Sequence, residues 1–313
     1  MKMLIDKVLA LLGASLTVTV VSLSFASSYT HAQELEPRAY ANTPVGLNFF
    51  LAGHAYMDGE ALPDPTVPIE DTSIKVHTTI LAYVRSLDIR GRSGKIQIVL
   101  PYAWLDASGK LAGNAKERKV NGFADPRLRF SVNLYGSPAL SLEEFADYQQ
   151  DTIIGVSLLV TAPYGRYDSE KLANIGTNRW SFKPELGISQ ALGRWTLELA
   201  TGVTLYTDND DFFGGQAREQ APIYSAQGHV IYHFPRGIWG AVDATYYTGG
   251  RTTIDGETKD DLQESWRFGL TLTLPLDRHN SIKLYGTTGV STRSGTDFDS
   301  VGAAWQYRWG GGL

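Results

Sequence analysis

Past its N-terminal stretch the chain falls into segments of about ten residues in which apolar and polar positions alternate, each bounded by Gly, Pro, Asp or Asn. In WSFKPELGIS, Trp180, Phe182, Leu186 and Ile188 share one face while Ser181, Lys183, Glu185 and Ser189 share the other. In WTLELATGVTLY, Trp195, Leu197, Leu199, Val203 and Leu205 oppose Thr196, Glu198, Thr204 and Tyr206. SWRFGLTLTLP repeats the pattern, with Trp266, Phe268, Leu270, Leu272 and Leu274 against Arg267, Thr271 and Thr273. A period of two is the signature of a strand with two unlike faces. About twelve strands are predicted, near 43–57, 73–87, 94–105, 121–135, 151–163, 179–190, 194–207, 222–234, 237–248, 265–275, 281–291 and 298–309.

The links between the later strands alternate in length. ALGR, PRG and LDRHN are short, while YGRYDSEKLANIGTN, DNDDFFGGQAREQA and GGRTTIDGETKDDLQE are long and polar. Barrels of the bacterial outer membrane have short periplasmic turns and long outer loops. The pattern therefore predicts an all-β transmembrane antiparallel β-barrel in the bacterial outer membrane, and an even strand count places both chain ends on the periplasmic side. One link on the short side is long: GSPALSLEEFADYQQD carries Ser141 as an N-cap with Glu144 three residues on, which predicts a short periplasmic helix near 141–149.

The first residues read differently. Lys2 and Lys7 precede the apolar run VLALLGASLTVTVVSLSFA, and THAQ supplies small residues, the layout of a secretory signal peptide ending at Ala32. A single membrane anchor is the competing reading, weakened by the Ser and Thr that interrupt the run. The expected organisation is a signal peptide over 1–32 and one barrel domain over 33–313.

Composition then narrows the chemistry. The absence of cysteine removes disulfides and thiolate metal sites, and a net charge of -5 lacks the basic footprint of a nucleic-acid binder. If the apolar faces meet lipid, tryptophan and tyrosine near strand ends belong to the interfacial girdles. Trp180, Trp195, Trp239, Trp266, Tyr307 and Trp309 are the candidates. In the final strand Val301, Ala303, Trp305, Tyr307 and Trp309 form the lipid face and Gly302, Ala304, Gln306 and Arg308 the inner one. GGGL follows, so either Trp309 or Leu313 is the terminal residue read by the barrel-assembly machinery.

The opposite faces supply candidate lumen-lining residues: Lys183, Glu185, Glu198, His229, Asp243, Arg267, Lys283 and Arg308. Their mixed signs fit either a hydrated path for a small polar or amphipathic solute or an ion-pair network filling a narrow barrel. Twelve strands lie between the filled eight-stranded barrel and the open porin. His229 and His233 are separated by roughly 13 Å along a strand and cannot share one ion unaided, and the same spacing parts Ser225 from His229. DNDD at Asp208 to Asp211 reads as a solvated acidic loop, with divalent-cation binding as the sharper alternative. No metal, cofactor or catalytic set is predicted, and the chain is expected not to be an enzyme.

The run GFADPRLRFSVNLYGSPALSLEEFADYQQDTIIGVSLLVTAPYGRYDSEKLANIGTNRWSFKPELGISQALG resembles the family of outer-membrane transporters assigned to the phenol meta-degradation (MetA) pathway. The resemblance continues through YTDNDDFFGG, PIYSAQGHVIYHF, DATYYTGGRTT and NSIKLYGTTGVSTRSGTDFDSVGAAWQYRW. It implies a membrane barrel with no catalytic residues to carry over. The expected function is a channel or transporter for small compounds, aromatic or hydrophobic ones among them. The alternative is a structural barrel whose long acidic loops bind a surface partner. Expected partners are outer-membrane lipid and lipopolysaccharide, the barrel-assembly machinery and a small-molecule solute, without nucleic acid.

Overall fold

In hydrocarbon a strand can leave no backbone N–H or C=O unpaired, so a chain that spans with strands must close them into a ring. A computed structural model shows how this chain does so, describing residues 36–62, 69–111, 114–171, 173–292 and 295–313. The expected signal peptide lies outside the described residues. The strands of the wall are β1 (Leu47–Leu62), β2 (Ile69–Ile89), β3 (Arg92–Leu111), β4 (Asn114–Phe123), β5 (Arg127–Tyr135), β6 (Thr152–Thr161), β7 (Ser181–Leu192) and β8 (Trp195–Tyr206). After β9 (Asn209–Phe212) and β10 (Gln216–Gln220) the wall resumes with β11 (Ile223–His233) and β12 (Trp239–Gly249). Past β13 (Thr252–Ile254) and β14 (Glu257–Thr258) it ends with β15 (Gln263–Pro275), β16 (Asn280–Thr292) and β17 (Gly295–Gly310).

Every neighbouring pair in the wall is antiparallel, and β1 joins β17 from Leu47↔Gly310 to Leu62↔Gly295, which closes the ring. Thirteen strands take part, but β4 and β5 lie end to end along β3 and form one stave, leaving twelve. That stave breaks at Ala124–Asp125–Pro126, where proline removes a ladder donor. The buried Asp125 carboxylate turns the break into a fastening point: it accepts from the backbone N–H of Gly165 (2.8 Å) and from the N–H (2.8 Å) and hydroxyl (2.6 Å) of Thr177. These bonds hold the 162–180 loop across the break.

The burial pattern is inverted relative to a water-soluble protein. On β15, Trp266, Phe268 and Leu270 are exposed while Ser265 and Arg267 are each 1% exposed. On β7, Phe182, Leu186 and Ile188 point out, and Lys183, Glu185 and Ser189 are buried. The outer band is the lipid face, so these apolar exposures are satisfied by acyl chains. Aromatic clusters mark its edges. Trp195, Tyr232 and Phe234 contact one another at the short-turn end, with ring centroids 4.6 and 4.7 Å apart. Trp305, Tyr307 and Trp309 stack in series at 6.1 and 5.6 Å on the closing strand. Trp266 packs on Tyr246 and Trp180 on Tyr164 near the long-loop end.

The long loops are themselves structured: β9, β10, β13 and β14 make a small four-stranded sheet. DNDD is solvated at its three aspartates, as expected, but ordered, since Asn209 is buried in β9 and accepts from Asn178 at 2.8 Å. At the opposite end the helix α1 (Leu142–Phe145) is shorter than expected and is capped as the sequence suggests, with Glu144 N–H donating to Ser141 Oγ. The Ser141 N–H and hydroxyl both donate back to the Glu144 carboxylate, holding it below the usual carboxylate range. The tail beyond β17 turns back through Gly310, Gly311 and Gly312, all at positive φ, a conformation open to glycine.

Two outcomes are expected. Leu270→Arg, in the middle of the lipid face, lowers the unfolding free energy in vesicles by about 2–4 kcal/mol, read by denaturant titration. Asp125→Ala keeps heat-modifiable gel migration, the mark of a closed barrel, but loses about tenfold hydrogen-exchange protection at Gly165 and Thr177, the equivalent of one charge-assisted bond.

Candidate functional site

A twelve-stranded ring encloses more space than wall side chains fill, and the chain fills part of it with its own N-terminal segment. Residues 36–46 precede β1 and lie inside the barrel, entering from the short-turn end. The segment has no regular structure, so its backbone polar groups need partners from the wall. Lys95 on β3 donates to the carbonyls of Ala39 (3.1 Å) and Ala41 (2.8 Å), and Asn133 on β5 donates to that of Tyr40 (2.9 Å). The Arg38 N–H donates to Glu198 on β8 (2.7 Å). Arg38 itself sits at φ 67, an uncommon value for a residue with a Cβ.

Tyr40 is the centre of the plug. It is 4% exposed, and its hydroxyl donates to Glu185 on β7 (2.9 Å) and lies 3.2 Å from Ser157 on β6. Its ring rests on Gly155 and Gly187, which face each other across β6 and β7; a methyl group at either position would overlap the ring. Glycine in a strand weakens it and often marks a close approach, and here the approach is the plug's aromatic side chain. Burial and the neighbouring Glu185 raise the Tyr40 pKa well above its ordinary value, so the phenol stays protonated and able to donate.

The predicted lumen residues separate into distinct settings. Glu185 also receives Lys183 (3.1 Å) and Gln227 (3.1 Å), forming a buried network around the Tyr40 hydroxyl. Glu198 receives the Ser189 hydroxyl at 2.9 Å as well as the plug. Lys283 on β16 pairs with Glu36 at 3.3 Å. His229 and Asp243 pair at 2.7 Å away from those plug bonds, with the Thr271 hydroxyl donating to Asp243 at 3.0 Å. Arg267 lies over the Phe298 ring at 3.5 Å and donates to Thr287 (2.8 Å) and the Phe298 carbonyl (2.9 Å). Arg308 is drawn to the rim, where it donates to the Arg278 carbonyl of the turn at 2.6 Å.

One expected girdle residue is misplaced. Trp239 stands at the start of β12 on the inward face it shares with Asp243, and the Arg38 guanidinium lies 5.3 Å from its ring centroid. Nearness to a strand end does not determine which face a residue takes; register does, and Trp239 pairs with Thr273 and His233.

Between plug and wall remains a cavity of about 250 Å³. Phe49, Leu51, Val84 and Trp239 give it apolar walls, and Arg38, Lys95, Arg129 and Lys283 bring positive charge. Among the described residues no group of three or more His, Asp or Glu is arranged to hold a metal ion. The Ser225 hydroxyl is spent on the Gly202 carbonyl (3.4 Å), while His229 is turned to Asp243.

The model of the family described as "Putative MetA-pathway of phenol degradation" matches residues 61–307. The chain belongs to this family. No curated protein matches it in sequence. Among solved structures it is similar to the COG4313 outer membrane channel from Pseudomonas putida F1, with a TM-score of 0.74 at 23% identity, covering 88% of this chain and 100% of that one. The β domain of the Bordetella autotransporter BrkA follows at a TM-score of 0.50 and 11% identity, covering 85% of this chain and 100% of that one. These likenesses establish the fold of an outer-membrane barrel for this family member.

Sequence reasoning missed the plug, with its Arg38 and Tyr40, and the wall residues Lys95 and Asn133 that hold it. Residues 36–46 show no periodicity and contain small and polar residues suited to many contexts. The available signal was the pair of glycines at inward positions of two strands, Gly155 and Gly187.

Gly187→Ala is expected to unseat Tyr40 and make a cysteine placed at Ala41 react with a membrane-impermeant thiol reagent several-fold faster than in the parent barrel. Tyr40→Phe removes the donor to Glu185 and should act in the same direction, at a cost of about 1.5–3 kcal/mol for a bond to a charged acceptor.

Proposed function

We propose that this outer-membrane barrel passes small compounds, aromatic or hydrophobic ones among them, through its lumen, with residues 36–46 as the barrier. The observation that carries the reading is the construction of the plug. A merely structural barrel gains stability from a continuous interior, but here the filling segment is attached by individual hydrogen bonds around a residual cavity with an apolar lining. A segment held in this manner can shift without dismantling the wall, because none of the wall's ladder bonds depends on it. The family's description, which ties it to phenol degradation, supports aromatic compounds as the solute class.

The reading is of a channel, not an enzyme: the inward polar groups serve as fastenings for the plug or as pairs within the wall. Lipid and lipopolysaccharide are partners of the outer band, and the assembly machinery meets the closing strand. A second reading has its own support in the small sheet formed by β9, β10, β13 and β14, an ordered surface at the long-loop end that a partner could recognise.

Liposome swelling and planar-bilayer conductance with refolded protein test the first reading. Slow passage of small solutes is expected from the whole barrel, and a several-fold rise when residues 36–44 are deleted. If neither form passes any tested polar or aromatic solute, the structural reading replaces it.

A further inference from the structure

The lumen as a whole carries both signs of charge, while the lining of the cavity beside the plug is mostly positive. Arg38, Lys95, Arg129 and Lys283 line it, and among its described lining residues the carboxylate is Glu36 alone. The Lys95 ammonium is turned to two carbonyls of the plug, with the Glu198 and Glu36 carboxylates within electrostatic reach. The Arg38 guanidinium lies toward the Trp239 ring, with the Glu198 carboxylate near the same residue. Glu36 meets Lys283 at 3.3 Å in a pair whose side chains are 37% and 21% exposed, a pair that water screens and a competing anion can replace.

The walls restrict which anion fits. Phe49, Leu51, Val84 and Trp239 offer nothing to the water shell of a strongly hydrated inorganic ion. A neutral aromatic compound would satisfy these walls but could not take the place of the Glu36 carboxylate at Lys283. The volume of about 250 Å³ falls below the ~300 Å³ at which pockets begin to hold drug-sized ligands, so the occupant is small.

We propose that this cavity is a binding site for a one-ring aromatic carboxylate, and that Glu36 is its internal stand-in, occupying the position of the solute's charge until a solute displaces it. The carboxylate takes the place of Glu36 at Lys283, and the ring lies among Phe49, Leu51 and Trp239. Displacement of Glu36 removes one fastening at the first described residue of the plug, so occupancy loosens the barrier. The inference names the solute class for the passage reading and rests on that reading for its role, while the binding itself is measured separately.

The test uses the full barrel in detergent, with heat-modifiable migration confirming that each variant is folded. Calorimetric titrations compare benzoate, its neutral counterpart benzamide, and octanoate. Benzoate is expected to bind about tenfold or more tightly than benzamide, a difference of one order in Kd. Glu36→Gln should tighten benzoate several-fold and leave benzamide unchanged, because the internal competitor is gone; Lys283→Met should weaken benzoate. Equal binding of benzoate and benzamide, tighter binding of octanoate, or no response to Glu36→Gln overturns the site. Liposomes that pass neutral aromatic solutes while benzoate fails to bind overturn the site and leave the passage reading standing. Selective benzoate binding in a barrel that passes nothing supports the site and removes the passage reading.

Discussion

The rest of this structure depends on the pairing of backbone N–H and C=O groups where no water can reach them. In a bilayer that demand is met by a closed ring, and the β1–β17 seam, long and without a register shift, is where this chain meets it. Closure determines which residues are inside, since each stave presents alternate side chains to lipid and lumen. The apolar outer band follows from the solvent, and the polar interior follows from the alternation. A ring of twelve then leaves a volume too large for wall side chains and too small for an open porin.

The plug is the chain's response to that volume. Its irregular backbone must be satisfied, so the wall supplies Lys95, Asn133 and Glu198, and the buried charges of the wall are in turn partly spent on the segment. Glu185 illustrates the economy of the arrangement: one carboxylate accepts from Tyr40, Lys183 and Gln227. Removal of Lys183 alone would leave that carboxylate short of compensation, and breaking a buried pair from one side typically costs 3–5 kcal/mol, about the scale of a whole core substitution. The interior is therefore specific in its partners even though it is not a hydrophobic core.

The wall was legible in the sequence because lipid imposes a period of two on segments such as 181–192 and 263–275, where the outward residues of the middle stretch, among them Leu186, Ile188, Phe268 and Leu270, answer to the same solvent. Legibility failed where that solvent stops. The stave predicted as 121–135 begins at Asn114, because the residues of β4 stand beyond the lipid band and are charged on both faces. The break at Asp125 falls inside the predicted strand, because the donors that fix it, on Gly165 and Thr177, lie some forty to fifty residues away along the chain. Trp239 was assigned by residue type and nearness to a turn, but facing a buried arginine is an equally favourable setting for an indole. The plug obeys no period, and only the glycines it presses against recorded its presence.

The start of the first stave and the exit of the plug share one residue. Ser86 Oγ donates to the Pro44 carbonyl at 2.5 Å and accepts from the Leu47 N–H at 2.9 Å, with Gly46 between them at φ 80. The stopper is in effect stitched to the barrel's closing weld, and Gly46 is the fold of the flap. A pull exerted on the N-terminus would strain the fastenings at Glu36, Arg38 and Tyr40 first and reach that stitch last, so the few atoms around Ser86 are the final hold on the cork.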